Sequence, residues 1–451
     1  MSTMFLKLIR RFSTSRPAYE ALLSSNYKSR RLWDERYNCP LLSGDEEQIK
    51  VINNKIVMGN ELNSLEIDIF INIAVPRAEE TVQLEESVKL LRRFRKSLHA
   101  HTQLPSTAHA ISRLFLESKR LRSLVNLLDN RIEFGIFPDF FAANLILDEA
   151  IDKEMYSVAA KLASLIMLQE EFGVNPITDR LALFSMCKYI ESKTNFSDWP
   201  VGEISKDPVL SGVLEQANAF DQIQDKSKEG EEKKEEQGDE EEEGEEDAQY
   251  IRIPFLRNPY NDLHFDLTSP RLICGKTLRA LGESFLVVDY DLATKAQLIG
   301  SILLGEWKES GELLDKFLRD ETELGQTASI AKFYVENLHE VTGPSEEEKA
   351  RIIETLGKME KGQVPLLSEL VRSKHLQLGE YEKDDIDQLK SDLSTWSDIR
   401  LTLRRQDQEK RARAELIEQI KAKKEELRLK EQYLYYYDNL HKSRLTRVAY
   451  D

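Results

Sequence analysis

Residues 134–176 read FGIFPDFFAANLILDEAIDKEMYSVAAKLASLIMLQEEFGVNP, and this stretch decides the fold. The pattern Phe-Gly-x-x-Pro begins at Phe134 and returns at Phe172, roughly 38 residues later. Two apolar runs lie between these marks and are separated by a charged break at 152–154. Glycine ends a helix readily and proline cannot continue one, so the pattern predicts a helical hairpin in which glycine ends the second helix. The signature residues are Gly135, Pro138, Asp139, Gly173 and Pro176.

Helix pairs at a period near 35 residues predict an all-α protein, an α-solenoid of helical hairpins. Few glycines (19) and prolines (13) in 451 residues favour the same class. A second helix pair is predicted after Lys276, with its break near Gly305 or Gly311, although a plain helical core is equally consistent there. After Gly379 neither glycine nor proline occurs, which predicts a long charged C-terminal helix of about 55 residues.

Charge is distributed unevenly along the chain. The formal net charge is -17, and the segment 225–247 holds 14 acidic and 4 basic residues, so we expect a disordered insertion there. Residues 89–122 run the other way, with one acid, Glu117, and a set of cations. A solvated helix face usually mixes both signs, so this set predicts contact with the phosphate backbone of RNA. Its members are Lys89, Arg92, Arg93, Arg95, Lys96, Arg113, Lys119, Arg120 and Arg122.

The N-terminus is basic and rich in serine, and its first acid is Glu20. On a helix, an apolar stripe from Met4 to Phe12 would oppose Lys7, Arg10 and Arg11. This is the pattern of a mitochondrial presequence, with cleavage expected after Phe12. The sequence therefore predicts import into the mitochondrial matrix.

The hairpin resembles the pentatricopeptide repeat, whose units end in Gly-x-x-Pro-Asp and continue with a Tyr-Asn-like pair, here Ala143-Asn144. The flanks narrow the resemblance: WDER at 33–36, LRRFR at 91–95, FGIFPD at 134–139 and LQEEF at 168–172, followed by a charged helix from near Trp396. In this order they are similar to the pentatricopeptide-repeat proteins of the animal mitochondrial ribosomal small subunit. The acidic insertion departs from that pattern, and we expect a lineage-specific loop.

Pentatricopeptide repeats can read one base per repeat through a pair of side chains. The resemblance places these pairs at Thr107 with Ser112, at Phe140 with Leu145, and at Thr178 with Leu183. Leucine offers no hydrogen-bonding group to a base edge, and only the first pair is polar throughout. The reading code is therefore expected to be largely absent, which leaves contacts to phosphate and shape.

Sites for chemistry are not evident. Residues 274–277 (CGKT) end like a phosphate-binding loop, but Pro270 stands where that motif needs glycine. His99 and His101 lack an acid or thiol at metal-binding spacing, and no apolar run reaches the roughly 20 residues of a membrane span. We predict no enzyme activity, no cofactor, no metal, no small-molecule substrate and no membrane span.

Five segments are predicted: presequence and basic N-terminal segment 1–31, helical-repeat solenoid 32–205, acidic insertion and Pro/aromatic linker 206–270, second helical region 271–378, and C-terminal helix 379–451. A sustained heptad is absent from that helix, so an arm along RNA or a neighbouring protein is favoured over self-pairing.

The expected function is a structural, RNA-binding component of the mitochondrial small ribosomal subunit that supports translation. Its partners would be small-subunit rRNA and neighbouring ribosomal proteins. Two alternatives remain open: a ribosome-independent factor for RNA stability or translation activation, and a protein-only scaffold.

Overall fold

The structure is a computed structural model of the 451-residue chain. It describes residues 22–43, 46–58, 62–74, 81–97, 100–192, 195–200, 207, 210–211, 269–320, 324–337, 346–359 and 364–442. The presequence with its cleavage site, the acidic segment 225–247, His99 and the linker residues 250–268 lie outside the described residues.

Every regular element within these ranges is helical, which confirms the predicted all-α solenoid fold. The helices of the first part are α1 (Arg30–Asp34), α2 (Glu46–Val57), α3 (Ser64–Ala74), α4 (Thr81–Arg95), α5 (Pro105–Glu117), α6 (Leu121–Asp129), α7 (Arg131–Phe134), α8 (Phe140–Asp152), α9 (Tyr156–Leu168) and α10 (Pro176–Glu191). After the undescribed segment come α11 (Pro270–Phe285), α12 (Tyr290–Leu304), α13 (Trp307–Arg319), α14 (Gln326–Asn337), α15 (Glu346–Met359), α16 (Leu367–His375) and α17 (Gly379–Asp438).

The chain divides into two compact units, Met1–Leu393 and Ser394–Asp451. In the first unit successive helices pack as neighbours: α8, α9 and α10 each contact the other two, and α11 packs against α12. Helix α11 also packs on α9 and α10, so the two predicted helical regions share one unit. The five-segment division and the pentatricopeptide type of the repeat stay predictions.

The turn and capping residues in and beside the repeat signature set the helix ends. Gly135 adopts a left-handed conformation (φ 69°) and ends α7. The Asp139 carboxylate then accepts a hydrogen bond from the Ala142 backbone N–H at 2.9 Å and caps α8. Asn175 caps α10 in the same way, and Pro176 is the first residue of that helix. These side chains satisfy backbone donors that a helix start leaves unpaired.

One detail of the predicted hairpin is wrong. Helix α9 ends at Leu168, and the left-handed residue that follows it is Glu170 (φ 55°) rather than Gly173. Gly173 (φ 87°) lies in a separate turn before α10, where its N–H donates to the Asp179 carboxylate at 2.9 Å. Because α9 ends before Gly173 is reached, the chain makes two turns between α9 and α10, one at Glu170 and one at Gly173.

In the second helical region, Gly305 ends α12 in a left-handed conformation, whereas Gly311 lies inside α13. Helices resume at Pro270, six residues before the predicted Lys276, because proline is well suited to the first position of a helix. Residues 274–277 therefore lie within α11 rather than in a loop.

The last helix is continuous over 60 residues, which confirms the predicted long helix and corresponds to about 90 Å. Residues 408–438 are exposed throughout. Among the described helices, none is long and apolar enough to cross a bilayer.

The packing of α11 on α12 generates a first prediction. A Cβ added at Gly275 would lie 2.9 Å from the Gly300 carbonyl oxygen, whereas one added at Gly311 would meet nothing within 4 Å. Gly275→Ala should therefore lower the free energy of unfolding by about 1–3 kcal/mol. Gly311→Ala, the control, should raise it by up to about 1 kcal/mol. Urea denaturation of both variants decides the point, and equal midpoints would contradict the packing described.

The turn before α10 generates a second prediction. Burial raises the pKa of the Asp179 carboxyl from 3.8 to about 6. The folded state then holds this proton more tightly than the unfolded chain, so stability falls as pH rises from 4 to 6. Asp179→Asn removes the ionisation and should raise the free energy of unfolding at pH 7 by about 1–3 kcal/mol.

The advantage of Asp179→Asn should disappear below pH 4, and urea denaturation between pH 4 and pH 8 measures it. The exposed Asp320→Asn change controls for the loss of one negative charge. A difference between Asp179→Asn and the wild type that does not vary with pH would show that the carboxyl is not the cause.

Candidate nucleic-acid interface

Eight of the nine cations predicted to bind RNA form two groups rather than one patch, and the ninth, Arg113, lies within α5. The first group lies on α4 and just after it. The Arg95 and Gln103 side chains both lie beside Gly135, and Gln103 precedes α5, so this group is near the start of α5. The second group, Lys119, Arg120 and Arg122, follows the far end of α5. That helix has 13 residues, so about 20 Å separates its ends.

Two of the nine cations are buried and hold helices together. Arg92 donates from Nε to the Glu133 carboxylate at 2.6 Å and thereby joins α4 to α7. Arg113 donates from Nε to Nε2 of His109 at 3.3 Å, and its guanidinium lies over the rings of Trp33 and Phe141. Burial lowers the pKa of Arg113 to about 10, which still leaves it charged at neutral pH.

His109 joins this cluster to the repeat signature. It is fully buried, stacks on Trp33 at 4.5 Å between ring centroids, and its Nδ1 lies 2.8 Å from the Asp139 carboxylate. Burial alone would raise the pKa of Asp139, but the contact with His109 and the hydrogen bond from Ala142 outweigh it, so that pKa is lowered. One carboxylate thus caps α8 and orients a buried ring.

Lys119, Arg120 and Arg122 are exposed, and we call these three residues the cationic turn. Lys119 is left-handed (φ 56°) and reverses the chain between α5 and α6. Lys89, Arg93 and Arg95 are half-buried, and Lys96 is exposed but shares contacts within the chain, as Arg93 and Arg95 do. The cationic turn is therefore the part of the predicted set best exposed to a phosphate backbone.

Two further cations near this turn, Arg30 and Arg31, are absent from the predicted set because the positive charge of residues 1–31 was attributed to mitochondrial import. Arg30 lies 3.8 Å from the Glu117 carboxylate at the end of α5, and Arg31 beside it is exposed. The sequence could have revealed these cations, because two adjacent arginines lie beyond the apolar stripe of the presequence.

The positions that would read bases are occupied by internal contacts. The Thr107 hydroxyl donates to Asp68 at 2.9 Å, and the Thr178 hydroxyl donates to the Asn144 side-chain carbonyl at 2.7 Å. Ser112, Leu145 and Leu183 are buried as well, and Phe140 is half-buried. Five of these six side chains are buried and are not available as an open platform for single-stranded RNA.

The face of α8 is covered by the chain's own N-terminal segment. Tyr27 stacks on Phe141 with ring centroids 4.1 Å apart. The Leu23 N–H donates to Asp148 at 3.1 Å, and Lys28 forms an ion pair with the same carboxylate. Sequence spacing gave no sign of this arrangement.

The start of α17 closes the same face. The Asp385 carboxylate accepts hydrogen bonds from the Tyr27 hydroxyl (2.9 Å), Asn144 Nδ2 (3.2 Å) and Asn175 Nδ2 (2.8 Å). Burial raises the pKa of Asp385, although the three hydrogen bonds act in the opposite direction. Arg180 adds a hydrogen bond to the Tyr381 hydroxyl at 3.1 Å.

Cysteine and metal chemistry find little support in the described part of the chain. Cys39, Cys187 and Cys274 are buried and free, and burial raises the thiol pKa of Cys187 and Cys274 well above the usual value. A protonated thiol is a poor nucleophile and a poor metal ligand. Among the described residues, no group of three His, Cys, Asp or Glu side chains is arranged to hold a metal ion.

The contrast between the buried Arg113 and the exposed Arg120 generates a third prediction. Arg113→Ala removes a buried side chain that packs on two rings, and should lower the free energy of unfolding by about 2–4 kcal/mol. Arg120→Ala removes an exposed side chain and should change it by less than about 0.5 kcal/mol. Thermal and urea denaturation measure both, and equal stabilities would contradict the internal role of Arg113.

Comparison with protein-family models identifies the family to which the chain belongs. A family model described as mitochondrial 28S ribosomal protein S27 matches residues 1–213 and 218–426. The matched ranges contain the hairpin signature, the cationic turn and the first part of α17, and they extend over nearly the whole chain. The chain therefore belongs to the mitochondrial 28S ribosomal protein S27 family, a component of the small subunit of the mitochondrial ribosome in the matrix.

Proposed function

We propose that the chain is a structural component that contacts small-subunit rRNA through phosphate groups, binds neighbouring ribosomal proteins and so supports mitochondrial translation. The observation that carries the proposal is the family match along nearly the whole chain. The role requires no reaction, and we infer no enzymatic activity.

The cationic turn supports the RNA contact. Lys119, Arg120 and Arg122 are exposed within four positions of the chain, and Arg31 adds a further exposed guanidinium in the segment whose Arg30 pairs with Glu117. Cations contact phosphate without regard to base identity, so such a surface suits a folded RNA of fixed position.

The covered face of α8 supports a ribosomal role over a free single-strand reader. A reader would have to release Tyr27 from Phe141 and break the hydrogen bonds of Asp385 before a base could enter. Buried polar groups left without partners cost about 1–3 kcal/mol each. The ribosome-independent factor is therefore disfavoured.

A charge reversal tests the proposal. The triple variant Lys119→Glu, Arg120→Glu, Arg122→Glu should reduce co-sedimentation with the small subunit by at least about tenfold, because each phosphate contact contributes to affinity. A matched triple reversal of exposed cations elsewhere, Lys308→Glu, Arg372→Glu, Lys383→Glu, serves as control. Sucrose gradients of mitochondrial lysate measure both.

Unchanged stability of the purified variants shows that the fold is kept. Incorporation of the first triple variant at the wild-type level would contradict RNA contact through the cationic turn and would favour the protein-only scaffold. Migration of the wild-type chain apart from the small subunit would overturn the whole proposal.

A further inference from the structure

The second unit carries a line of apolar side chains that its own helix leaves in solvent. Leu416, Ile420, Leu427 and Leu434 are 56%, 48%, 53% and 63% exposed. Single exposed leucines are ordinary on protein surfaces. Four large apolar residues along one line of a helix call for a partner.

The spacing of these residues places them on one line. Steps of four, seven and seven residues return to nearly the same direction on an α-helix, so the four Cβ positions fall within about 40° of each other. The line extends over about 27 Å of helix. We call Leu416, Ile420, Leu427 and Leu434 the apolar seam.

Four cations flank the seam, one acid, Glu431, shares the border of Arg413 and Lys424, and other acids lie on the opposite face. At about 100° per residue, Lys423 and Lys430 lie along one border and Arg413 and Lys424 along the other. Glu418 and Glu425 fall on the opposite face. Lys430 also meets Glu426 of its own helix at 2.6 Å, an exposed pair that adds little stability.

This arrangement selects among possible occupants. A second copy of the helix would bring cationic borders against cationic borders, which opposes self-pairing. An RNA backbone would satisfy the cations but leave the four apolar side chains in water. A protein helix with its own apolar line and carboxylates on both borders satisfies both requirements.

We propose that the apolar seam of α17 is a docking surface for an acidic amphipathic helix of a neighbouring protein. The proposal rests on the proposed function, because that neighbour is another component of the small subunit. It assigns the protein contact to residues 413–434 and separates that contact from the cationic turn.

A pair of double variants tests the proposal in the full chain. Ile420→Gln with Leu427→Gln removes the centre of the seam and keeps good helix formers. Leu429→Gln with Tyr436→Gln makes the matched change to exposed residues on the opposite face. The readout is lysine crosslinking with mass spectrometry on isolated small subunits, from Lys421, Lys423, Lys424 and Lys430.

In the wild type and the control, these lysines should crosslink to one ribosomal protein at an acidic helical segment. The seam variant should lose those crosslinks by at least about tenfold while it still sediments with the small subunit, because RNA contact lies elsewhere. Charge reversal by Lys423→Glu with Lys430→Glu should weaken the crosslinks from the two lysines that remain, Lys421 and Lys424.

Other outcomes overturn the proposal. These are crosslinks between two copies of the chain, ultraviolet crosslinks from 413–434 to rRNA alone, seam-dependent flotation with phosphatidylcholine–cardiolipin vesicles, or unchanged protein crosslinks in the seam variant. A wild-type chain that is absent from small subunits would instead refute the proposed function.

Discussion

The half-buried carboxylate of Asp385 makes the hydrogen bonds on which the arrangement of the first unit depends. It joins Tyr27 of the N-terminal segment, Asn144 of α8 and Asn175 at the start of α10 to the beginning of α17. Hydrogen bonds to a charged group contribute about 1.5–3 kcal/mol each, and a connected network of them specifies one arrangement. Here that arrangement fixes the N-terminal segment around Tyr27 and the start of α17 against the repeat helices.

The consequence for function is a division of surfaces. The face of α8 and α10 that a single-stranded RNA would use in a related repeat is covered by Tyr27 and by the Asp385 network. We propose that contact with RNA is made by the exposed cations at the end of α5, where side-chain identity matters less than charge. A protein of fixed position in a ribosome needs such contacts more than it needs sequence discrimination.

Local features of the fold could be predicted from the sequence because neighbouring residues determine them. Asp139 caps α8 and Gly305 ends α12 through contacts within a few residues of each position. The early end of α9 at Leu168 was not predicted, because the left-handed conformation of Glu170 cannot be recognised from the residue type. Long-range partners were also missed, since Tyr27 and Asp385 lie 358 residues apart. Arg113 was placed on a basic surface for the same reason, as charge alone does not reveal burial against Trp33.

The central claim is that this chain meets rRNA by charge and shape while its repeat face stays covered. Ultraviolet crosslinking of intact small subunits, with peptide mapping of the crosslinked residues, tests it most directly. The account predicts RNA adducts on the peptides around Lys119 and Arg122, and none on the α8 peptide that contains Phe140 and Leu145. Adducts concentrated on that α8 peptide, with residues 22–33 displaced, would contradict it.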